Sequence, residues 1–257
     1  MRILKLTIAY DGTRFVGWQR QAEGDSIQGL LETALARFAG TAVVVHGAGR
    51  TDAGVHALAQ VASAEIAAAH DVATIQRGLN ASLPADIRVT AVDEAPLGFH
   101  ARFNARSKTY RYVIDNKRVA SPFDRGYSWH IPDPLNAAAM RDAAAALVGT
   151  HDFACFRSAG TDVTTTVRTI TRSEVSAASQ DIPGVEHSDA RYRIVYEVSG
   201  SGFLRHMVRA IVGTLAAIGR GARPASSMAA LLASGGRAQA GPTAPAHGLF
   251  LVRVDYD

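Results

Sequence analysis

The 257-residue chain has one cysteine, Cys155, so no internal disulfide can form and its cysteine usage is that of a reducing compartment. No apolar run approaches the ~18 residues of a membrane span. The opening MRILKLTIAYDG meets Asp11 too early for a signal peptide. The expectation is a soluble, cytoplasmic protein, in which Asn80-Ala81-Ser82 is a chance match to a glycosylation site. Lysine is nearly missing: of 27 basic residues only Lys5, Lys108 and Lys117 are not arginine. None of the three follows a glycine, which removes a Walker loop. Gly47-Ala48-Gly49 and Gly200-Ser201-Gly202 lack the third glycine of a dinucleotide fingerprint. Nine histidines include no His-Glu-x-x-His and no Cys-His cluster, and there is no Gly-x-Ser-x-Gly elbow. The chemistry is therefore expected to need neither a nucleotide cofactor nor a metal.

What is present is a globular balance, 47% apolar and 19% charged, with a net charge of +4. Arginine offers five donors in a planar fork and suits phosphate and base recognition. A GC-rich genome would produce the same bias, so composition permits an anionic partner without requiring one.

Ile3–Tyr10 alternates as a strand. Asp25 with Gln28 resembles a capping box ahead of a helix whose apolar face is Ile27, Leu30, Leu31, Ala34, Leu35 and Phe38, closed by Gly40. Val43–Val45 reads as a short buried strand entering the loop Gly47–Asp52. A helix around Asp71–Asn80 and strands at Ile87–Val92 and Thr109–Ile114 follow. Asp133-Pro134 looks like a helix start, with the alanine-rich stretch running to Val148-Gly149. Val167–Ser176 and Arg191–Ser199 read as paired strands around a polar loop, Ala177–Ala190. Phe203, Met207, Ile211, Leu215 and Ile218 recur at helical spacing, and Leu249–Tyr256 is a last strand. The order strand, glycine turn, amphipathic helix occurs at Ile3–Gly40 and again at Tyr192–Gly221. That repeat predicts an α+β fold of two similar halves, 1–105 and 106–257, each an antiparallel sheet backed by helices.

The densest segment is Gly47-Ala48-Gly49-Arg50-Thr51-Asp52-Ala53-Gly54-Val55-His56-Ala57. A carboxylate beside a guanidinium stays ionised at neutral pH, as a nucleophile or electrostatic stabiliser requires. An Asx turn or helix cap would use the same residue types.

This run closely resembles the signature of the tRNA pseudouridine synthase A family. Other blocks agree, in family order: Tyr10-Asp11-Gly12-Thr13-Arg14-Phe15-Val16-Gly17-Trp18-Gln19, His100-Ala101-Arg102-Phe103 with Ser107–Tyr112, His151-Asp152-Phe153, Val167–Ile170, Gly202–Arg209, and Gly241–Pro245 with Gly248–Val252. Only Ser176–Ala190 has no counterpart. The resemblance implies two ferredoxin-like or RRM-like halves with the active-site cleft between them, and a homodimer acting on tRNA. It implies isomerisation of uridine to pseudouridine at tRNA positions 38, 39 and 40 of the anticodon arm, without a cofactor. By the same resemblance Asp52 is the catalytic nucleophile and Arg209 its cationic partner. Tyr110 packs on the target uracil, and Arg50 takes the place of the flipped nucleotide. Whether Asp52 attacks C1′, adds to the uracil ring or removes a ribose proton stays open.

Arg205 and Arg209, read as one turn apart on one helix face, are expected to contact RNA. The basic run Arg102, Arg106, Lys108, Arg111, Lys117 and Arg118 is a second electrostatic candidate. The rival reading of Tyr110, less favoured, is a core aromatic on a sheet face beside Tyr112. Phe15, Trp18 and Phe203 are read as core, and His56 and His206 as structural or RNA-contacting. Two other classes fit parts of the pattern: a non-catalytic RNA-binding module, and a phosphate-ester enzyme with Asp52 as a metal ligand.

Overall fold

The computed structural model describes residues 1–158, 164–178, 193–234 and 236–256. They fall into two compact units, Met1–Lys108 with Phe250–Asp257, and Thr109–Leu249.

In the first unit β1 (Arg2–Tyr10) buries Leu4, Leu6, Ile8 and Tyr10, the period-2 pattern of a strand covered on one face. α1 (Ile27–Ala39) buries Ile27, Leu31, Ala34 and Leu35. Its N-cap is Ser26, one residue beyond the expected capping box, because the Ser26 hydroxyl accepts from Gly29 N–H. Gly40 ends the helix at φ 68°, a left-handed value that glycine adopts without strain. β2 (Val45–Gly47) leads through the Arg50–Asp52 loop into β3 (His56–Ile66), and α2 (Val72–Ser82) leads into β4 (Ile87–Ala95). Asp71 caps α2 by accepting from Thr74 N–H at 2.7 Å, and that bond lowers the Asp71 pKa. Neighbouring strands are antiparallel in the order β4-β1-β3-β2. A side chain at Gly78 of α2 would meet the Phe38 ring of α1 at 2.3 Å, so the bare backbone lets the helices close.

In the second unit β5 (Ser107–Asp115) carries the short parallel β6 (Trp129–His130). α3 (Ala137–Ala145) starts three residues later than Pro134 suggests. The Asn116 amide donates to Ile131 and Asp133 C=O, both at 2.7 Å, and accepts from Leu135 N–H. That holds residues 131–135 out of the helix, and Asn136 becomes the cap. Gly149, expected near the helix end, opens β7 (Gly149–Asp152) at φ 119°. β7 pairs with β8 (Val167–Ala178), and β8 with β9 (Arg193–Gly200), both antiparallel. Strand β8 runs through Ala178, two residues into the expected loop, while 179–192 lie outside the described residues. α4 (Met207–Gly219) buries every residue except Arg209 and Ala217, and α5 (Ser227–Ser234) follows.

The chain then returns. β10 (Leu249–Asp255) runs parallel to β3, with Phe250 opposite His56 and Leu251 opposite Ala57. The last strand thus belongs to the first unit, whereas a single cut near residue 105 places it in the second half.

Candidate active site

The loop between β2 and β3 is held from beneath by the block Tyr10–Trp18. Trp18 N–H donates to Thr51 C=O at 3.0 Å, and the Tyr10 and Thr51 hydroxyls share a hydrogen bond of 2.8 Å. Gln60 Nε2 donates to Gly49 C=O at 2.9 Å, and Ala48 N–H donates to Val61 C=O at 2.7 Å. Close approach requires glycine at two points. A Cβ on Gly17 would lie 2.6 Å from Thr51 O, at φ 108°, and one on Gly12 would lie 2.0 Å from Val55 O. Val55 N–H closes a turn onto Asp52 C=O, with Gly54 at φ 76° in its third position. Thr51 is buried, Asp52 half-buried and Arg50 exposed. Burial pushes the Tyr10 hydroxyl up to about 12, so it remains protonated at neutral pH.

Arg50 and Asp52 share the loop but are not an ion pair. Among the described residues the Arg50 guanidinium has no hydrogen-bond or salt-bridge partner.

Within the second unit, Arg209 is fixed by the Gly241–Pro245 segment. Its Nε donates to Ala244 C=O at 2.8 Å, and Ala244 N–H donates back to Arg209 C=O at 3.1 Å. Gly241 N–H donates to the Thr214 hydroxyl at 2.9 Å, and a Cβ on Gly213 would overlap Pro242 O at 1.7 Å. Small residues on α4 therefore let this strap lie on the helix and aim the guanidinium. Tyr110 is 7% exposed, with its ring edge-to-face on Phe203 at 5.1 Å. Arg205 is exposed, but it precedes α4 instead of lying on it. His206 intervenes at φ 61°, the one positive-φ residue besides glycine among the described residues, so Arg205 and Arg209 do not share a helix face.

The sequence profile described as tRNA pseudouridine synthase matches residues 6–104 and 143–257. A protein named tRNA pseudouridine synthase A from Syntrophotalea carbinolica is 45% identical over 256 residues, covering 100% of this chain and 97% of its own. Same-named proteins from Geobacter sulfurreducens (44%) and Moorella thermoacetica (45%) are matched over 100% of both chains. The chain belongs to the tRNA pseudouridine synthase family. The proteins of this family are isomerases, and the two matched ranges take in the Asp52 loop and the Arg209 strap.

The remaining candidates are sorted by their surroundings. Phe15 and Trp18 are core, each 3% exposed, and Trp18 packs where a Gly47 side chain would otherwise stand. His56 is buried, stacked on Phe250 at 4.8 Å, and its Nδ1 accepts from Gly12 N–H at 3.0 Å. His206 Nδ1 lies 2.6 Å from the Ser158 hydroxyl. Within the basic run Arg111 is neutralised by Glu197 at 2.8 Å, and Arg172 approaches the same carboxylate at 3.4 Å. Among the described residues no group of three His, Cys, Asp or Glu side chains could hold a metal. No helix among them is long and apolar enough to cross a membrane.

Two supports had no sequence reading. Glu32 of α1 is buried, paired with Arg20, and accepts from Gln28 Nε2 and Val45 N–H. The Tyr10–Thr51–Gln60 network is the other. Its available signal was the pair of glycines, Gly12 and Gly17, set among Tyr10, Phe15 and Trp18.

Proposed function

We propose that this synthase isomerises uridine to pseudouridine at positions 38–40 of the tRNA anticodon arm, with Asp52 as the nucleophile. The observation that carries the assignment of Asp52 is its setting. A half-buried carboxylate sits on a loop whose flanking residues are fixed by hydrogen bonds from Trp18, Tyr10 and Gln60. Such a loop costs little reorganisation when substrate arrives. In the reaction the N1–C1′ bond breaks, the uracil turns while held, and C5 bonds to C1′. The proton lost from C5 is balanced by one gained at N1, so no oxidant and no group donor is consumed.

Arg209 takes the role of the cation paired with that carboxylate in the family, and the Ala244 bond supports it by fixing the guanidinium's direction. Tyr110 packs on the target uracil. Its edge-on contact with Phe203 supports that role by holding the ring in place. Arg50 fills the stack that the flipped nucleotide leaves, a role supported by an exposed guanidinium with no partner among the described residues. Arg205, exposed ahead of α4, contacts the RNA backbone.

The protein works in the cytoplasm as a homodimer, with two ferredoxin-like halves divided near residue 105 and the cleft between them. The β-α-β-β-α-β order of the first unit, with its β4-β1-β3-β2 sheet, supports the ferredoxin-like reading of the first half.

The test is to incubate the protein with a tRNA transcript and a chelator and to map pseudouridine by position. Product at one or more of positions 38–40 is expected. Product only elsewhere overturns the assignment of positions 38–40 but keeps the isomerase, whereas bound tRNA without any product overturns the proposal and favours a binding module.

A further inference from the structure

Phe103 is 75% exposed, an unusual place for a phenylalanine on a family motif that could have been core. It is not isolated. The His100 ring lies 4.3 Å from the Phe103 ring, and the His46 ring stacks on His100 at 4.6 Å with 29° between planes. The Arg102 guanidinium stands over Phe103 at 5.7 Å. The backbone beneath this group is fixed: Ala101 N–H donates to the buried Ser63 hydroxyl at 3.0 Å, and Ala101 C=O accepts from Tyr256. His100 N–H donates to Asn104 Oδ1 at 2.7 Å, and Arg102 N–H to His100 Nδ1 at 3.1 Å. A loop pinned at four points while its aromatic ring faces solvent is built for a contact.

The charges say which contact. Among the described residues neither Arg102 nor Lys108 has an ion-pair partner. Burial first, and then the charge of Arg102, lower the Lys108 pKa, so the two cations lie close enough to repel. His100 is lowered by burial and by His46, and favours its neutral, stackable form. Two unneutralised cations beside an open aromatic stack match an anion that carries flat rings. Nucleobases stack on phenyl rings and guanidinium planes, and phosphates take the charge.

We infer that the Phe103–His100–His46 stack with Arg102 is a tRNA-docking platform that takes an unpaired base on Phe103 and a phosphate on Arg102, outside the residues assigned to the reaction. The inference rests on the tRNA reading above and adds a second point of attachment to it. Its energetic role is binding, not chemistry.

The test compares full-length wild type with Phe103→Leu, Phe103→Tyr and Arg102→Gln. Each is measured for tRNA-transcript Kd across a salt series, single-turnover rate at saturating enzyme, and mass by sedimentation. Leucine keeps apolar bulk and loses the π-face, so Phe103→Leu is expected to weaken Kd by about fivefold or more, the low end for one stacked base. Phe103→Tyr stays within about twofold. Arg102→Gln flattens the dependence of log Kd on log salt by roughly one phosphate contact. Rate at saturation and mass are unchanged in all three. A Kd for Phe103→Leu equal to wild type overturns the platform. A fall in mass that tracks the loss of affinity also overturns it, because the surface then belongs to a second copy of the chain. Absence of pseudouridine from wild type is a separate result that defeats the functional reading and leaves the Kd comparison to be judged on its own.

Discussion

Removing the Tyr10 hydroxyl tests how the Asp52 loop is held. The hydroxyl is buried, bonded to Thr51 Oγ1 at 2.8 Å and approached by Gln60 Nε2 at 3.5 Å. Tyr10→Phe strands a buried Thr51 hydroxyl, and Thr51→Val strands the tyrosine. Each is expected to cost about 1–3 kcal/mol, the range for leaving one buried polar group unpaired. The double variant removes both partners, so its cost falls short of the sum by about 1 kcal/mol. Urea unfolding of the four proteins closes that cycle. Thr51 is also the residue between Arg50 and Asp52, so loosening it displaces the carboxylate proposed as the nucleophile. A misplacement on the scale of an ångström costs up to about a hundredfold in rate. The single-turnover rate of Tyr10→Phe is accordingly expected to drop between about tenfold and a hundredfold, with tRNA Kd within about twofold of wild type. Additive stabilities, or an unchanged rate in a variant that is destabilised as expected, would refute the clamp.

The same hydroxyl sets an alkaline limit. Its folded pKa is raised to about 12 from an ordinary 10, so its contribution is complete below pH 10 and is lost between pH 10 and 12, where only the unfolded chain ionises. Unfolding free energy measured over that window should fall more gently in Tyr10→Phe, by up to about 3 kcal/mol at its upper end. Arg50→Ala should leave stability within about 0.5 kcal/mol, because the side chain is exposed and has no partner among the described residues. Its single-turnover rate should fall about tenfold or more if the guanidinium offsets base extrusion, and a rate equal to wild type would remove Arg50 from the reaction.

Elements with a strong period were legible from sequence. The apolar stripe of α1 and the glycine that ends it stand within a residue or two of expectation, as do α2 and β5, while β4 starts as expected at Ile87 and runs three residues further, to Ala95. What was hidden depended on partners far along the chain. β3 reads HALAQVASAEI, and its alanines carry little strand propensity. It is nevertheless the strand paired with β1, β2 and β10, where small side chains such as Ala57, Ala62 and Ala64 are buried. The start of α3 was misplaced because Asn116, about twenty residues upstream, captures the backbone that Pro134 would otherwise lead into a helix. Arg50 and Asp52 read from sequence as a carboxylate beside a guanidinium, yet the fold leaves Arg50 exposed and Asp52 half-buried on the same loop without an ion pair between them. The candidate residues Asp52, Arg50, Tyr110 and Arg209 were readable from the motifs that carry them. The supports were not, since Tyr10, Gln60 and the Gly241–Pro245 strap reach their targets only through the fold.

The most direct test of the central claim replaces a single oxygen. Asp52→Asn keeps the size of the side chain and removes its charge and nucleophilicity. Purified wild type and Asp52→Asn, matched for unfolding midpoint, would be incubated with one tRNA transcript in the presence of chelator and analysed for pseudouridine and for tRNA Kd. The account predicts pseudouridine from wild type, none from the variant, and equal Kd within about threefold. Pseudouridine at an undiminished rate from Asp52→Asn would contradict it.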